Sequence, residues 1–394
     1  MAWCVFLAAA ALAGSEPWAV RGPDGEPTGR SLQPEALFQV AEAGWAGERG
    51  VLTNRADLAE VAENTAEWLR SGDDCARLAV GLPTGLGLDL SRTLETLDTI
   101  ARIAREDLST GQDRLADPAF LESEFELWRW THDREGAKAR GHQLPAAQVR
   151  VTRYLVSQIE GRAAPEGAYK HALYADPGPD ERLKYSRAEV IAGAWKGGGA
   201  DPLVWLTEAG VYEAHMQGTV EVRLPDESVR MLNVHQHNDK PYKPGVGSRY
   251  QDKYWYFRQV DGAYGFGSTE HCPRPGKVKL APMAAVAGDV HNLGLGRIVL
   301  LEGRGGFYLT VLADTGGAFS PNLFQVDWYG GAFTSHGALY AATKGVPTTT
   351  GAALLVVRRP ESGAGSAARE GWSVVPHAVG WDGQSLGLQP GGHL

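Results

Sequence analysis

The sequence predicts an α+β protein in which a helical part precedes a strand-rich part. Between residues 54 and 128, apolar residues recur at spacings of three and four, the period of amphipathic helices. From residue 149 to about residue 357, short β-branched and aromatic runs alternate with turns rich in Gly, Pro, Asp and Asn, which is the pattern of strands. The length of 394 residues makes two domains the natural expectation.

The composition excludes several classes of function. A net charge of −9 and the lack of a long basic run argue against a nucleic-acid partner, because phosphate binding needs clustered Lys and Arg. The 50 Gly, 22 Pro, 12 Trp and 13 Tyr are typical of β-rich folds and carbohydrate grooves. The sequence contains no phosphate loop, Gly-x-Ser-x-Gly or cysteine–histidine set, and Gly294-Leu-Gly296 is too short for dinucleotide binding. It therefore predicts no cofactor.

The first residues indicate export. Residues 1–13 are apolar and end in Ala-Leu-Ala, which predicts a signal peptide too short to span a bilayer; a misassigned start is the alternative. Cys4 comes too early to be a lipoprotein acceptor, so an exported protein without a lipid anchor at the cleavage site is expected. For Cys75 and Cys272, two free buried thiols are favoured over a disulfide.

The predicted elements follow in order after an extended lead-in at residues 14–50. Three helices are expected: one capped by Asn54 and ending at Gly72, one opened by Ser91, and one opened by Asp117-Pro118 that carries Leu121, Phe125 and Trp128. A strand begins at Val149. One further helix, residues 187–196, is opened by a capping box of Ser186 and Glu189. Strands are predicted at 203–224, 229–235, 254–257, 283–301 and 306–313, and a mobile tail follows residue 361.

The stretch 310–331 carries the candidate chemistry. An apolar run ends at Asp314, and Gly316 and Gly317 follow at once. A second apolar run ends at Asp327. An acid placed where a strand breaks into a glycine turn can approach a ligand closely. The alternative is a turn-forming Asp that caps the next amides.

Three segments around this stretch resemble the membrane-bound lytic murein transglycosylase A family. They are Leu183-Lys-Tyr-Ser-Arg-Ala-Glu189 with His215-Met-Gln-Gly218 and the turn at 223–226; Asn238-Asp-Lys-Pro-Tyr242; and Ala287-Gly-Asp289 with Leu293-Gly-Leu-Gly296, Asp314-Thr-Gly-Gly-Ala-Phe and Asp327-Trp-Tyr. The resemblance covers residues 149–357.

The resemblance implies a fold and a domain arrangement. Residues 51–160, a helical part, and residues 280–357, a three-aspartate part, are expected to build one double-psi β-barrel. Residues 161–279 form an inserted smaller β domain, and residues 358–394 a flexible tail. A glycan groove is expected between the two domains.

The resemblance also implies a function and its residues. The protein is expected to be a monomeric lytic transglycosylase of the Gram-negative periplasm, peripherally associated with the outer membrane, that acts on peptidoglycan. Asp314 would be the single catalytic acid, supported by the carboxylates of Asp289 and Asp327. The expected glycan contacts are Thr152, Tyr154, Gln217, Asn238, Tyr242, Gly316, Gly317 and Trp328.

Departures from the family pattern leave an alternative open. The family's Thr-Gly-Tyr-Tyr-Glu-Pro is Thr152-Arg-Tyr-Leu-Val-Ser157 here, its Gln-Gly-Ser-Gly is Gln217-Gly-Thr-Val220, and its turn Gly is Asp239. Because these changes fall on surfaces expected to face the glycan, a non-catalytic peptidoglycan-binding protein on the same scaffold is the main rival.

Two other interpretations are weaker. An aspartic protease needs two Asp-Thr-Gly aspartates sharing a proton, and the sequence has one. A metal site could be suggested by His235-x-His237, with His215, Asn238 and Asp239 nearby in the sequence. No third ligand stands at a defined spacing, so the sequence predicts no metal.

Overall fold

The computed structural model describes residues 15–22, 25–72, 77–241, 243, 245–267, 277–316, 319 and 321–359. Several sequence-based expectations fall outside these residues: the signal peptide, the tail from residue 361, both Cys75 and Cys272, and the predicted glycan contacts Tyr242 and Gly317.

The α-helices of the described chain are α1 Pro34–Leu37, α2 Arg55–Arg70, α3 Leu90–Thr110, α4 Pro118–Glu124, α5 Arg134–Ala139, α6 Pro179–Arg182, α7 Arg187–Ala192, α8 Glu208–Gln217, α9 Val290–Leu293 and α10 His336–Ala342. The strands are β1 Trp18–Arg21, β2 Pro27–Leu32, β3 Phe38–Val40, β4 Phe125–Trp130, β5 Val149–Glu160, β6 His171–Tyr174, β7 Pro202–Leu206, β8 Thr219–Arg223, β9 Val229–His237, β10 Trp255–Val260, β11 Tyr264–Gly267, β12 Lys277–Lys279, β13 Ala285–Ala287, β14 Ile298–Gly303, β15 Gly306–Asp314, β16 Gln325–Phe333, β17 Thr349–Thr350 and β18 Ala352–Val357. The prediction of an α+β fold is confirmed, although strands β1, β2 and β3 lie in the predicted extended lead-in, ahead of α2.

Helices α2 and α3 pack against each other and against the sheet. Asn54 caps α2 as predicted, because its side chain accepts hydrogen bonds from the backbone N–H groups of Ala56 and Asp57 at 2.9 and 3.1 Å. The predicted start of α3 at Ser91 is wrong by one residue. The carboxylate of Asp89 accepts from the backbone N–H of Arg92 at 2.9 Å, so the helix already begins at Leu90.

The third predicted helix is shorter than the sequence indicated. Asp117 caps α4, but the helix ends at Glu124. Phe125 and Trp128 lie in β4, where they pair with Val357 and Leu354 of β18. Their spacing fits a helix, but pairing with a buried strand outweighs local preference.

Two predicted strands contain helices. Residues 208–217, within the predicted strand 203–224, form α8, which Thr207 caps with a hydrogen bond from Gly210 N–H at 3.1 Å. Residues 290–293, within the predicted strand 283–301, form the single turn α9. Conversely, the capping box of Ser186 and Glu189 opens α7 as predicted, although α7 ends at Ala192 where Gly193 takes a left-handed φ of 106°.

Twelve strands form one sheet that carries both halves of the chain. Its order is β10-β9-β8-β5-β16-β13-β15-β14-β18-β4-β3, with β17 paired to β5. Three neighbouring pairs are parallel: β5 with β8, β5 with β16, and β13 with β15. Among the described strands this order is an open path, so the closed double-psi barrel stays a prediction.

The main hydrophobic core fills the space between the sheet centre and α2 and α3. Two smaller clusters occupy the region from β6 to β10, one including Leu173, Val204 and Phe257 and the other Tyr174, Trp195 and Tyr254. Over the described part of the chain, no helix is both long and apolar enough to cross a bilayer.

Candidate active site

Asp314 is the last residue of β15, at the centre of the sheet. Its strand lies parallel to β13, where Ala287 is its partner. One carboxyl oxygen, Oδ1, accepts the backbone N–H of Thr315 at 2.8 Å. The other, Oδ2, accepts the hydroxyl of Tyr154 at 2.9 Å. Two donors from two different segments therefore fix the orientation of this carboxyl group.

The surroundings of Asp314 favour its protonated form. Burial raises the pKa of Asp314 to about 6, although the N–H of Thr315 and the hydroxyl of Tyr154 lower it. The positive charge of Lys277 also lowers this pKa, and the negative charge of Asp327 raises it. The net result is a carboxylic acid that titrates close to neutral pH.

The position of Tyr154 follows from the alternation of side chains along β5. Tyr154 pairs with Tyr329 of β16, and their ring centroids lie 5.3 Å apart. The preceding Arg153 points to the other face, where its guanidinium lies 5.1 Å from the ring centroid of Tyr340. Burial, followed by the charge of Asp314, raises the pKa of Tyr154 well above its usual value. Tyr154 therefore remains a hydrogen-bond donor.

Asp327 lies on β16 beside the same strand ends. It is the partner of Ala287 on one side and of Thr152 on the other. Burial raises the pKa of Asp327 to about 6, while hydrogen bonding to Thr152 and the charge of Arg150 lower it. Its Oδ1 atom is buried and has no hydrogen-bond partner among the described residues. Asp327 acts on Asp314 through charge, and no hydrogen bond between the two carboxyl groups is found there.

Asp289 is bound entirely by protein groups. It caps α9 by accepting the backbone N–H of Asn292 at 3.1 Å, and it also accepts the side-chain amide of Asn292 at 2.8 Å. The backbone N–H of Asn322 donates to it at 2.7 Å. Burial raises the pKa of Asp289 to about 7 against these hydrogen bonds. This geometry ties α9 to the turn before β16.

The predicted glycan contacts are placed unequally. Thr152 and Tyr154 lie beside the two carboxyl groups, and Gly316, two residues after Asp314, is exposed. Gln217 lies at the end of α8, where its side-chain amide donates to Glu213 at 3.1 Å.

Asn238 and Trp328 are buried, in contrast to the surface position expected of glycan contacts. The amide of Asn238 donates to the carbonyl groups of Tyr185 and Asp252, both at 2.9 Å, and so closes a loop. Trp328 is 1% exposed and packs edge-on against Tyr308. As placed, both side chains face protein because the surrounding loop and sheet enclose them.

Sequence reasoning missed three residues at this site. A Cβ atom at Gly265 would lie 2.8 Å from the Cβ of Asp314, so β11 can pass the acid this closely only with glycine there. Glu213 accepts the hydroxyl of Ser157 at 2.5 Å as well as the amide of Gln217. Lys277 places a positive charge near Asp314. Glu213 and Gln217 lie four residues apart on α8, whereas the other contacts join distant segments that no local pattern predicts.

The histidines considered for a metal site point to different surroundings. His215 is buried between the rings of Tyr254 and Phe257. His237 lies edge-on to Trp255, with its Nδ1 atom 2.7 Å from a carboxyl oxygen of Asp239. Over the residues that can be described, no group of three or more His, Cys, Asp or Glu side chains is arranged to hold a metal ion.

Comparison with known proteins gives a fold. No protein-family model matches the sequence, and no curated protein matches it either. Among solved structures, the chain is similar to a membrane-bound lytic murein transglycosylase from Agrobacterium tumefaciens, with a TM-score of 0.52 and 13% identity over 82% of this chain and 97% of that chain. It is also similar to Escherichia coli MltA with bound chitohexaose, with a TM-score of 0.51 and 18% identity over 82% and 95% of the two chains. The fold of this protein is therefore that of lytic murein transglycosylase structures, and the resemblance inferred from the sequence is confirmed at the level of the fold.

Proposed function

We propose that the protein is a lytic murein transglycosylase. It would cleave the β-1,4 bond between N-acetylmuramic acid and N-acetylglucosamine in peptidoglycan and form 1,6-anhydromuramic products. The observation that carries the proposal is the Asp314 carboxyl group. It is oriented by Tyr154 and Thr315 and titrates near neutral pH, on the fold of these enzymes.

Asp314 would act first as the acid. Glycoside cleavage needs a proton on the leaving oxygen, and a carboxylic acid of pKa about 6 still carries one in a usable fraction of molecules at neutral pH. Each carboxyl oxygen has two acceptor positions, and the donors from Thr315 and Tyr154 occupy one on each. One position on each oxygen thus stays available for the substrate.

Asp314 would then act as the base. The 6-hydroxyl of muramic acid, held close to C1, attacks within the same sugar and gives its proton to the Asp314 carboxylate. Proximity replaces both the attacking water and the second carboxylate that an ordinary glycosidase needs. Asp327 would contribute by charge, which helps to keep Asp314 protonated.

The finer architecture belongs to the same proposal. We propose that segments 51–160 and 280–357 build one double-psi β-barrel with residues 161–279 inserted. The parallel pairing of β5 with β16 supports this arrangement, because it joins the two segments edge to edge. The proposed setting is the periplasm of a Gram-negative bacterium, with glycan strands as the partner.

The products of murein digestion test the proposal. Purified protein is incubated with murein, and the soluble muropeptides are analysed by mass spectrometry. Anhydro-muropeptides are expected. Products that are heavier by one water would make the protein a hydrolase instead. Cosedimentation with murein and no soluble product would favour the non-catalytic binder.

A further inference from the structure

Lys277, whose charge acts on Asp314, belongs to a group of basic side chains that extends away from the candidate acid. This group consists of His235 on β9, Arg258 on β10 and Lys277 on β12, and we call it the basic patch. From its geometry we infer that the basic patch binds a carboxylate of the substrate beside the bond to be cut. This inference rests on the proposed function.

A β-bulge sets the position of His235. Phe257 pairs with Val234 and Tyr256 pairs with Gln236, so His235 between them has no partner on β10. Bulges redirect a side chain and often stand beside functional sites. The His235 side chain is exposed.

Lys277 joins this bulge to the candidate acid. Its ammonium donates to the backbone carbonyl of Val234, the residue before His235, at 3.0 Å. Lys277 lies opposite Gly267 on β11, and Gly265 of the same strand lies against Asp314. Burial lowers the pKa of Lys277 to about 8, and the negative charge of Asp314 opposes that shift. The ammonium is thus near enough to Asp314 to interact with it electrostatically.

The donors of the basic patch are incompletely used. An ammonium group has three N–H donors, and the structure gives Lys277 one acceptor in the described chain, Val234. The Nε of Arg258 is buried and has no hydrogen-bond partner there. A buried donor without an acceptor is costly, so an incoming acceptor is favoured.

The charges around the basic patch are unbalanced in favour of cations. After burial, the charge of Arg258 is the largest influence lowering the pKa of His235, and Lys277 lowers it further. Asp176 opposes them, but its carboxylate accepts a hydrogen bond from Arg182 at 3.0 Å. Among the described residues, neither Lys277 nor Arg258 forms an ion pair. A bound anion would correct this imbalance.

A carboxylate on peptidoglycan has the chemistry that the basic patch recognises. Charge-assisted hydrogen bonds from an ammonium and a guanidinium to a carboxylate are about twice as strong as neutral ones. Muramic acid carries a lactyl carboxylate on the sugar ring whose glycosidic bond is cleaved. This carboxylate is free where the stem peptide is absent, and stem peptides carry further carboxylates. Neutral chitin-type sugars offer neither. An ion pair between Lys277 and such a carboxylate would also weaken the effect of the Lys277 charge, which lowers the pKa of Asp314.

The test compares three substrates with the full chain. The first is peptide-free murein strands, the second is the same strands with the lactyl carboxylates converted to neutral amides, and the third is intact murein. We expect kcat/KM to be about tenfold higher on the peptide-free strands than on the amidated strands, the size expected for one charged hydrogen bond. Lys277→Met should remove that difference, mainly through KM. Arg258→Gln should act in the same direction, and the exposed Lys170→Met serves as the matched control.

The outcomes separate the inference from the function. Lys277 dependence on intact murein but not on peptide-free strands would assign the carboxylate to the stem peptide and still support the basic patch. Equal cleavage of peptide-free and amidated strands by the wild type, together with no effect of Lys277→Met on intact murein, would overturn the inference and leave the proposed function intact. If no substrate is cut, the function fails. The basic patch is then judged by calorimetry alone, where equal affinity for the charged and amidated strands would overturn it. Arg258→Gln gives the same comparison if Lys277→Met does not fold.

Discussion

Asp314 and Asp289 differ in what their carboxyl groups contact, although burial raises the pKa of both. Asp289 is 0% exposed and accepts three hydrogen bonds, two from Asn292 and one from the backbone N–H of Asn322. Asp314 is only partly buried and accepts two, from the backbone N–H of Thr315 and the hydroxyl of Tyr154. A raised pKa therefore does not by itself separate the proposed reacting acid from the capping acid. The exposure of the carboxyl group and its side-chain hydroxyl donor do.

The largest expected effect is the loss of catalysis in Asp314→Asn. The amide cannot supply the proton, so murein cleavage should fall by about a thousandfold, within the range for a general acid. The amide oxygen can still accept the N–H of Thr315, so the melting temperature should change little. Release of muropeptides and thermal melting are measured on the same preparation. A variant that unfolds would show that Asp314 is a turn cap.

Asp289→Ala should lower the stability of the fold and leave most of the activity, the opposite of what is expected for Asp314→Asn. It removes a helix cap and leaves the backbone N–H groups of Asn292 and Asn322 without their acceptor, at a cost of about 2–4 kcal/mol in the free energy of unfolding. Urea unfolding measures that cost. The folded fraction should retain most of its murein cleavage. If activity vanishes while stability is kept, the assignment of the two aspartates must be exchanged.

The sequence predicts the helix caps and the candidate active site to different degrees. Cap residues lie close together in the sequence, whereas several residues of the site come from distant segments. Asn54, Asp117 and the box of Ser186 and Glu189 act within four residues, and the structure has all three caps. The motif around Asp314 is also local and marks the correct strand end. Lys277 and Gly265 reach the site only through tertiary packing, and no pattern in their own segments predicts this.

The errors in the predicted elements have the same origin. Helix α8 lies within residues 203–224, which the sequence predicts as a strand. Its buried side chains nevertheless recur at helical spacing, with Val211, Ala214 and His215 facing the core. The spacing of Phe125 and Trp128 fits a helix, yet both residues pair with β18 in the sheet. Packing against distant parts of the chain determines whether such a short segment is a helix or a strand. The residues of the segment itself do not show which partner it will have.

The raised pKa values predict a pH dependence of stability. Asp289, Asp314 and Asp327 have folded-state pKa values of about 7, 6 and 6, all above the ordinary Asp value of 3.8. The folded state therefore holds protons that the unfolded chain releases. The resulting stability is complete below the ordinary pKa and is lost as the pH rises towards 7. The aspartates should therefore lower the urea midpoint between pH 5 and pH 8. Burial lowers the pKa values of His132, His215, His235 and His237, so these groups raise the midpoint over the same range.

Asp314→Asn provides the control for that measurement. It removes one of the three aspartates and leaves the histidines in place, so the urea midpoint at pH 8 relative to that at pH 5 should be higher in the variant than in the wild type. An unchanged difference between the two pH values would mean that Asp314 titrates near its ordinary value, and the proposed acid would lose its physical basis.

The smallest expected effect comes from Tyr154→Phe, and it sharpens the contrast between the two aspartates. The Tyr154 hydroxyl stabilises the ionised form of Asp314, so its removal should raise the Asp314 pKa further. The alkaline limb of the pH–rate profile, where activity falls as Asp314 loses its proton, should then move to higher pH. Activity at the optimum should drop only severalfold, because the Thr315 N–H still orients the carboxyl group. Tyr340→Phe, a tyrosine 46% exposed on the other face of β5, should leave the profile in place. If the alkaline limb moves to lower pH, or does not move, the Tyr154 hydroxyl does not stabilise the ionised form of Asp314. The Tyr154 donor would then no longer explain why Asp314 and Asp289 differ in role.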